Sequence, residues 1–174
     1  MNKKAISKSI ILKYGTLLGG ISVAISILLY LLDKHLEQNQ TVGILNILLI
    51  LAAIVIGIKT FTKYAPLNFG DGIKVGIGIT VLSAVMITFY NYLFSTFIEP
   101  DFIDQLAEVQ RKGMEESGKL KPEEIAVRIE KLKEGSNSFI PSAIGIVFSA
   151  FLGFVFSAIT TVVFIKINES KNIA

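Results

Sequence analysis

The stretch Phe139–Ile165 reads FIPSAIGIVFSAFLGFVFSAITTVVFI, 27 residues without one charged side chain. About 17 to 25 apolar residues carry a helix across a hydrocarbon layer roughly 30 Å thick. Inside lipid every backbone N–H and C=O must find its partner within the segment, so such a run is a helix. Three more long apolar stretches precede it: Ile10–Leu32, Val42–Ile58 and Val75–Ile98. The chain of 174 residues therefore reads as an all-α membrane protein, a single integral domain over 1–174. Its expected spans are about 10–32, 42–61, 73–98 and 139–165, with a polar helical excursion over 99–138.

Composition agrees. Hydrophobic residues make up 52% of the chain and charged residues only 18%, against about 25% in soluble domains. The net charge of +3 does not point to nucleic acid, because the basic residues sit in short segments beside the spans. The chain has no cysteine, which excludes disulfides, thiolate metal sites and cysteine nucleophiles. Lys3, Lys4 and Lys8 before an apolar run imitate a secretory leader. That run exceeds the usual 7–15 residues and no small-x-small cleavage pattern follows it, so an uncleaved first span is expected.

Charge also orients the chain. Lys3, Lys4, Lys8 and Lys13, then Lys59, Lys63 and Lys74, then Lys166 and Lys171 give nine basic residues on one side, against Asp71 and Glu169. The other side holds Asp33, Lys34 and Glu37, and the 99–138 segment with seven basic and ten acidic residues. Lysine and arginine in short loops stay cytoplasmic, so both termini are expected in the cytoplasm and the excursion outside. Tyr30, Tyr90, Tyr92, Phe94, Phe97 and Phe139 gather at the expected outer ends, and Tyr14, Phe61 and Tyr64 at the inner ends, as amphipathic rings at headgroup level do.

Small residues recur every fourth position within the spans. Gly15 and Gly19 form a GxxxG pair; Gly72, Gly76, Thr80, Ala84 and Thr88 make a stripe on span three; Gly145, Ser149, Gly153, Ser157 and Thr161 make another on span four. Such spacing lets helix backbones approach closely. The leading expectation is tight packing inside one bundle; dimerisation through span four and a pore lined by small residues are the alternatives. Asn46 and Asn91 are the only amides in the apolar stretches, read as interhelical hydrogen-bond partners or interface residues. Asp, Glu, Arg and His are missing from mid-depth, which counts against a pump or proton-coupled carrier. Gly70-Asp71-Gly72 lacks the glycines and strand context of a phosphate-binding loop.

In the excursion, Phe102, Ile103, Leu106 and Val109 recur at helical spacing, and Gly118 is a natural stop. Lys121-Pro122-Glu123-Glu124 opens a second helix, with proline at its first position and carboxylates in the positive first turn. Ile125, Ile129 and Leu132 continue its apolar stripe to Gly135. Phe102, Leu106, Ile125 and Ile129 are the expected partner contacts. The carboxylates interleave with Arg111, Lys112, Arg128, Lys131 and Lys133, the pattern of solvated helix faces rather than of a metal cluster. His35 is the only histidine; alone in a short loop, it is not expected to be catalytic or metal-binding. No cofactor or metal is expected.

Tyr14-Gly15 opening span one, Phe97-Ile98-Glu99-Pro100-Asp101-Phe102 closing span three, and Met114-Glu115-Glu116 before the second charged helix carry a resemblance over nearly the whole chain. The sequence resembles a bacterial family of small four-span membrane proteins of unknown function, whose exit from span three is Ile-Asp-Pro-like. Here Glu99 stands where aspartate is expected. The resemblance implies the fold and, as location, the inner membrane of a bacterium, and no activity. The functional expectation is a non-enzymatic structural or accessory membrane protein whose outer hairpin meets a partner. A small oligomeric transporter or channel is the runner-up, and a lipid-directed enzyme comes third. The bilayer itself, a second copy or another membrane protein are the expected partners.

Overall fold

The computed structural model describes residues 2–37, 40–136 and 140–173, and among these it is all helical. The elements run α1 (Lys3–Leu31), α2 (Gln40–Thr62), α3 (Phe69–Leu93) with a π-helical turn at Phe94–Ile98, α4 (Phe102–Ser117), α5 (Pro122–Ser136) and α6 (Ile140–Ile173). Helices α1, α2, α3 with its π-turn, and α6 are each long and apolar enough to cross a membrane. α1, α3 and their reversed neighbours α2 and α6 bring both chain ends to one end of the bundle. The α4–α5 hairpin stands at the other. The expected start of span four at Phe139 lies outside the described residues.

Local chemistry sets the helix ends further out than the apolar runs suggest. Asn2 caps α1, its side chain accepting from the Lys4 N–H at 3.0 Å. α1 thus begins seven residues before Ile10, and the added turns bury Ile6 and Ser7. Asn68 likewise caps α3, accepting from the Asp71 N–H at 2.7 Å, so Phe69–Asp71 forms the first helical turn rather than a loop. Capping satisfies donors that a helix start otherwise leaves open. From Phe69 to Ile98 the 30 residues measure about 45 Å at 1.5 Å per residue, longer than the hydrocarbon layer. The excess requires tilt or projection beyond the bilayer.

Helix α3 is the axis of the bundle: 39% of its 18-residue apolar window is buried, against 17% of that of α2. It packs chiefly against α6 and α1, while α2 touches α1, α6 and α3 more lightly. Lipid tails are as apolar as leucine, so association here depends on close packing rather than on escape from water. The best-packed cluster joins Ile6, Ile10 and Leu18 of α1, Ile54, Ile58 and Phe61 of α2, and Val75 and Ile79 of α3. All lie toward the termini end, except Leu18 near the middle. Lys3 Nζ pairs with Asp71 at 2.9 Å, and the Tyr14 hydroxyl meets Thr60 Oγ1 at 2.9 Å, tying three helices there.

The small-residue stripes determine which helices meet. A β-carbon on Gly72 would run into Thr161, one on Gly76 into Ser157, and one on Gly153 into Thr80. As the α3 position advances, its α6 partner retreats by the same step: two antiparallel backbones in near contact. Gly15 and Gly19 do the same toward α3 in parallel register, with an added β-carbon 2.9 Å from Leu82 and 2.8 Å from Met86 Sδ. Two hydroxyls in this seam turn back onto their own helices: Thr80 donates to the Ile77 carbonyl at 3.0 Å and Ser157 to that of Phe154 at 3.1 Å. Large rings such as Phe148, Phe151 and Phe154 remain on exposed faces.

Candidate functional site

At the hairpin end the polar and aromatic groups of four segments converge. α1 ends in a Schellman motif: the Asp33 N–H reaches the Tyr30 carbonyl at 3.0 Å and the Lys34 N–H reaches that of Leu29 at 2.8 Å. This motif places its closing residue in left-handed backbone; Asp33 holds that position at φ 55°, which aspartate tolerates better than most side chains. The reversal folds His35 back over the helix it has just left, its ring 5.1 Å from Tyr30.

The other wall comes from the end of α3. In the π-turn the Glu99 N–H donates to the Phe94 carbonyl at 2.9 Å, the five-residue step of a widened helix. Phe94 is buried, while Phe97 and Ile98 stay on the surface. Phe94 meets Tyr30 edge-on at 5.1 Å and Phe102 edge-on at 5.4 Å. His35 stacks on Phe102 at 6.1 Å with 26° between the planes. Edge-to-face and offset rings at such distances attract beyond their buried area.

Inside this box His35 Nε2 lies 2.9 Å from Glu99 Oε2, with the two side chains only 13% and 14% exposed. The approach is close but off the hydrogen-bond direction, and neither imidazole nitrogen has a directed partner among the described residues. The contact is a close approach rather than a well-formed hydrogen bond. Gln105 of α4 steadies the carboxylate, donating to Oε1 at 2.9 Å. The α1–α2 turn, the π-turn and the first turn of α4 are thus held at one point, and the hairpin rises from it.

The hairpin turns its apolar faces inward. Gly118 stops α4 with φ 62°. Glu124 accepts from the Lys121 N–H at 2.9 Å at the start of α5, and α5 runs one residue past the expected stop at Gly135. Lys133 of α5 reaches Asp104 of α4 at 2.6 Å. Ala107 and Ile125 are buried, and Leu106 and Ile129 are half-buried. Phe102 is spent on His35 and Phe94. The four expected contact residues therefore make the inside and the base of the hairpin, and its accessible surface is charged. On α4, Arg111 bonds Glu108 at 2.7 Å and Glu115 at 2.9 Å. The hydrogen bond from Arg111 holds the Glu108 carboxyl below its ordinary range, and the same bond raises the Arg111 guanidinium. On α5, Glu123, Glu124, Val127, Arg128 and Lys131 rim a shallow open depression of about 380 Å³.

The expected packing residues divide. Gly15, Gly19, Gly72, Gly76, Gly153 and Ser157 sit in helix seams, whereas Gly145 is open, with nothing within 4 Å of an added β-carbon, and Ser149 is half-buried. His35 and Glu99, which sequence reasoning set aside or used only as a motif letter, are brought together across 64 positions. The one available signal was topological: four spans return the first loop and the exit of span three to the same end. Among the described residues no group of three or more His, Asp or Glu side chains could hold a metal ion.

No curated protein and no solved structure matches the chain. A family model does match, over residues 13–166, and it takes in α2, α3, the His35–Glu99 contact, the whole hairpin and most of α1 and α6. The chain belongs to the family described as Protein of unknown function (DUF4199).

Proposed function

We propose that this chain is a non-enzymatic accessory protein of the bacterial inner membrane that holds a charged helical hairpin toward a partner on the outer side. Both termini lie in the cytoplasm in this reading, which rests on the lysines of the short loops. The observation that carries it is the His35–Glu99 contact within the aromatic box. It couples the hairpin to the bundle at a second point besides the chain itself, as suits a surface presented in fixed orientation. The surface so presented is the α5 face around Val127, Arg128 and Lys131, and partner contact is assigned there rather than to the inward-turned Ile125.

Photo-crosslinking from Val127 in native membranes tests this. A discrete adduct, lost when Arg128 and Lys131 are changed to glutamate, is the expected result; absence of any adduct from this face would overturn it. The transporter reading drew on small-residue stripes free to line a path. In one chain those of α3 and α6 fill each other from Gly72 to Thr80, so that feature already serves packing.

A further inference from the structure

Taking the His35–Glu99 contact as the hairpin's second attachment, as the proposed function does, we propose that a proton controls it. A charged His35 imidazole holds the base of α4 to the bundle, and a neutral one lets it loosen. Histidine is the side chain whose charge changes between about pH 5 and 8, and this one is enclosed. The His35 side chain is 13% exposed and that of Glu99 14%. Among the described residues neither imidazole nitrogen nor Glu99 Oε2 has a directed hydrogen bond.

The surroundings leave one counter-charge. Tyr30 of α1, Phe94 of the π-turn and Phe102 of α4 pack on the imidazole. One of these rings, the Tyr30 phenol, titrates, and none bears a carboxylate or ammonium. Asp33, Lys34 and Glu37 flank His35 in its own turn, and Asp101 and Asp104 lie at the start of α4. All five are exposed, where salt and solvent screen them. Glu99 is the enclosed carboxyl that faces the ring, 2.9 Å from Nε2. Gln105 donates to its other oxygen at 2.9 Å and brings no charge.

Buried charges persist when paired. With the proton on His35, the imidazolium and the Glu99 carboxylate are each other's counter-charge inside the box. Without it the ring offers no charge, the approach stays off the hydrogen-bond direction, and Oε2 is shut in without a donor. A buried carboxylate that has lost its partner is costly, and water relieves it once the rings of His35 and Phe102 part. These two rings belong to different sides of the joint, His35 to the turn after α1 and Phe102 to the first turn of α4. Opening the box therefore moves the base of the hairpin. The sign follows from linkage: a closed form that favours the bound proton gains from low pH and loses that advantage as pH rises through the histidine range.

The chain has no cysteine, so spin labels can be placed singly. Gly113→Cys on α4 and Gly145→Cys on α6 lie in open space, with nothing within 4 Å of an added β-carbon. Distances between the two nitroxides are measured on the full chain in lipid nanodiscs at about pH 5.5 and about pH 8.5, within and beyond the range in which histidine carries charge. The expected result is a narrow distribution at the lower pH and one about twice as broad at the higher, the mark of local opening. His35→Gln and Glu99→Gln should each give equal widths at both pH values, and either variant suffices should the other fail to fold. A native width that ignores pH would show that the neutral ring holds the carboxylate equally well, and would overturn the proposal. Broadening that survives in His35→Gln would do so too. Crosslinking from Val127 separates this from the partner role: an adduct with a pH-indifferent width removes the proton control and leaves the partner, and a responsive width without any adduct does the reverse.

Discussion

Gly76 of α3 and Ser157 of α6 stand so close that a β-carbon on the glycine would fall on that of the serine. Neither backbone can give way alone, because the carbonyl of Gly153 lies 3.2 Å from the same point. The absence of a side chain at position 76 therefore sets the distance between the two most intimately packed helices.

Gly76→Ala is expected to destabilise the protein by about 1–3 kcal/mol, the usual cost of overpacking a filled seam. Gly145→Ala, on the same helix as Ser157 but in open space, is expected to be neutral or slightly stabilising, since alanine is the better helix former. Unfolding in mild detergent by heat or by titrated SDS compares the two. Equal effects would mean that the seam does not hold the bundle.

His35 and Glu99 are mutually dependent. Removing either leaves the other's polar atoms enclosed by rings, at a cost of about 1–3 kcal/mol. Glu99→Gln and His35→Leu should each raise amide exchange in the first turn of α4, around Phe102–Leu106, and leave the Gly76–Ser157 seam protected. A double-mutant cycle should give a loss smaller than the sum of the two. Strict additivity would show that the contact is incidental.

The Glu108 carboxyl gives a signed pH effect. Its value is lowered in the folded hairpin, first by the Arg111 hydrogen bond and then by the charges of Arg111 and Lys112. A depressed acid contributes stability above its unfolded value and loses it as pH falls through the folded one. Amide protection in the last turns of α4 should therefore decline on acidification below the ordinary carboxylate range. Glu108→Gln should flatten that part of the profile. The side chain is solvent-exposed, so the change should be modest and should shrink in high salt.

Much of this architecture was legible in residues taken locally. Long apolar runs gave the four spans; Pro122 and Gly118 marked the hairpin helices; fourfold small-residue spacing pointed to the seams that Gly72, Gly76 and Gly153 occupy. Asn2 and Asn68 extended α1 and α3 beyond the apolar runs, because a cap is a single side chain that hydropathy does not register. The partner of His35 was not legible. Its distance from Glu99 along the chain carries no periodicity, and the contact exists only once a Schellman turn and a π-turn have redirected both segments. The inward turn of Ile125 escaped for a similar reason: an amphipathic stripe shows that a face is covered, and not by what.

The orientation of the hairpin is the claim on which the proposed role depends most directly. Intact cells carrying either Glu123→Cys or Lys4→Cys can be treated with a membrane-impermeant maleimide. The account predicts rapid labelling of the E123C chain and labelling of the K4C chain only after the membrane is opened. Labelling of K4C in intact cells, with E123C protected until lysis, would place the hairpin in the cytoplasm and contradict it.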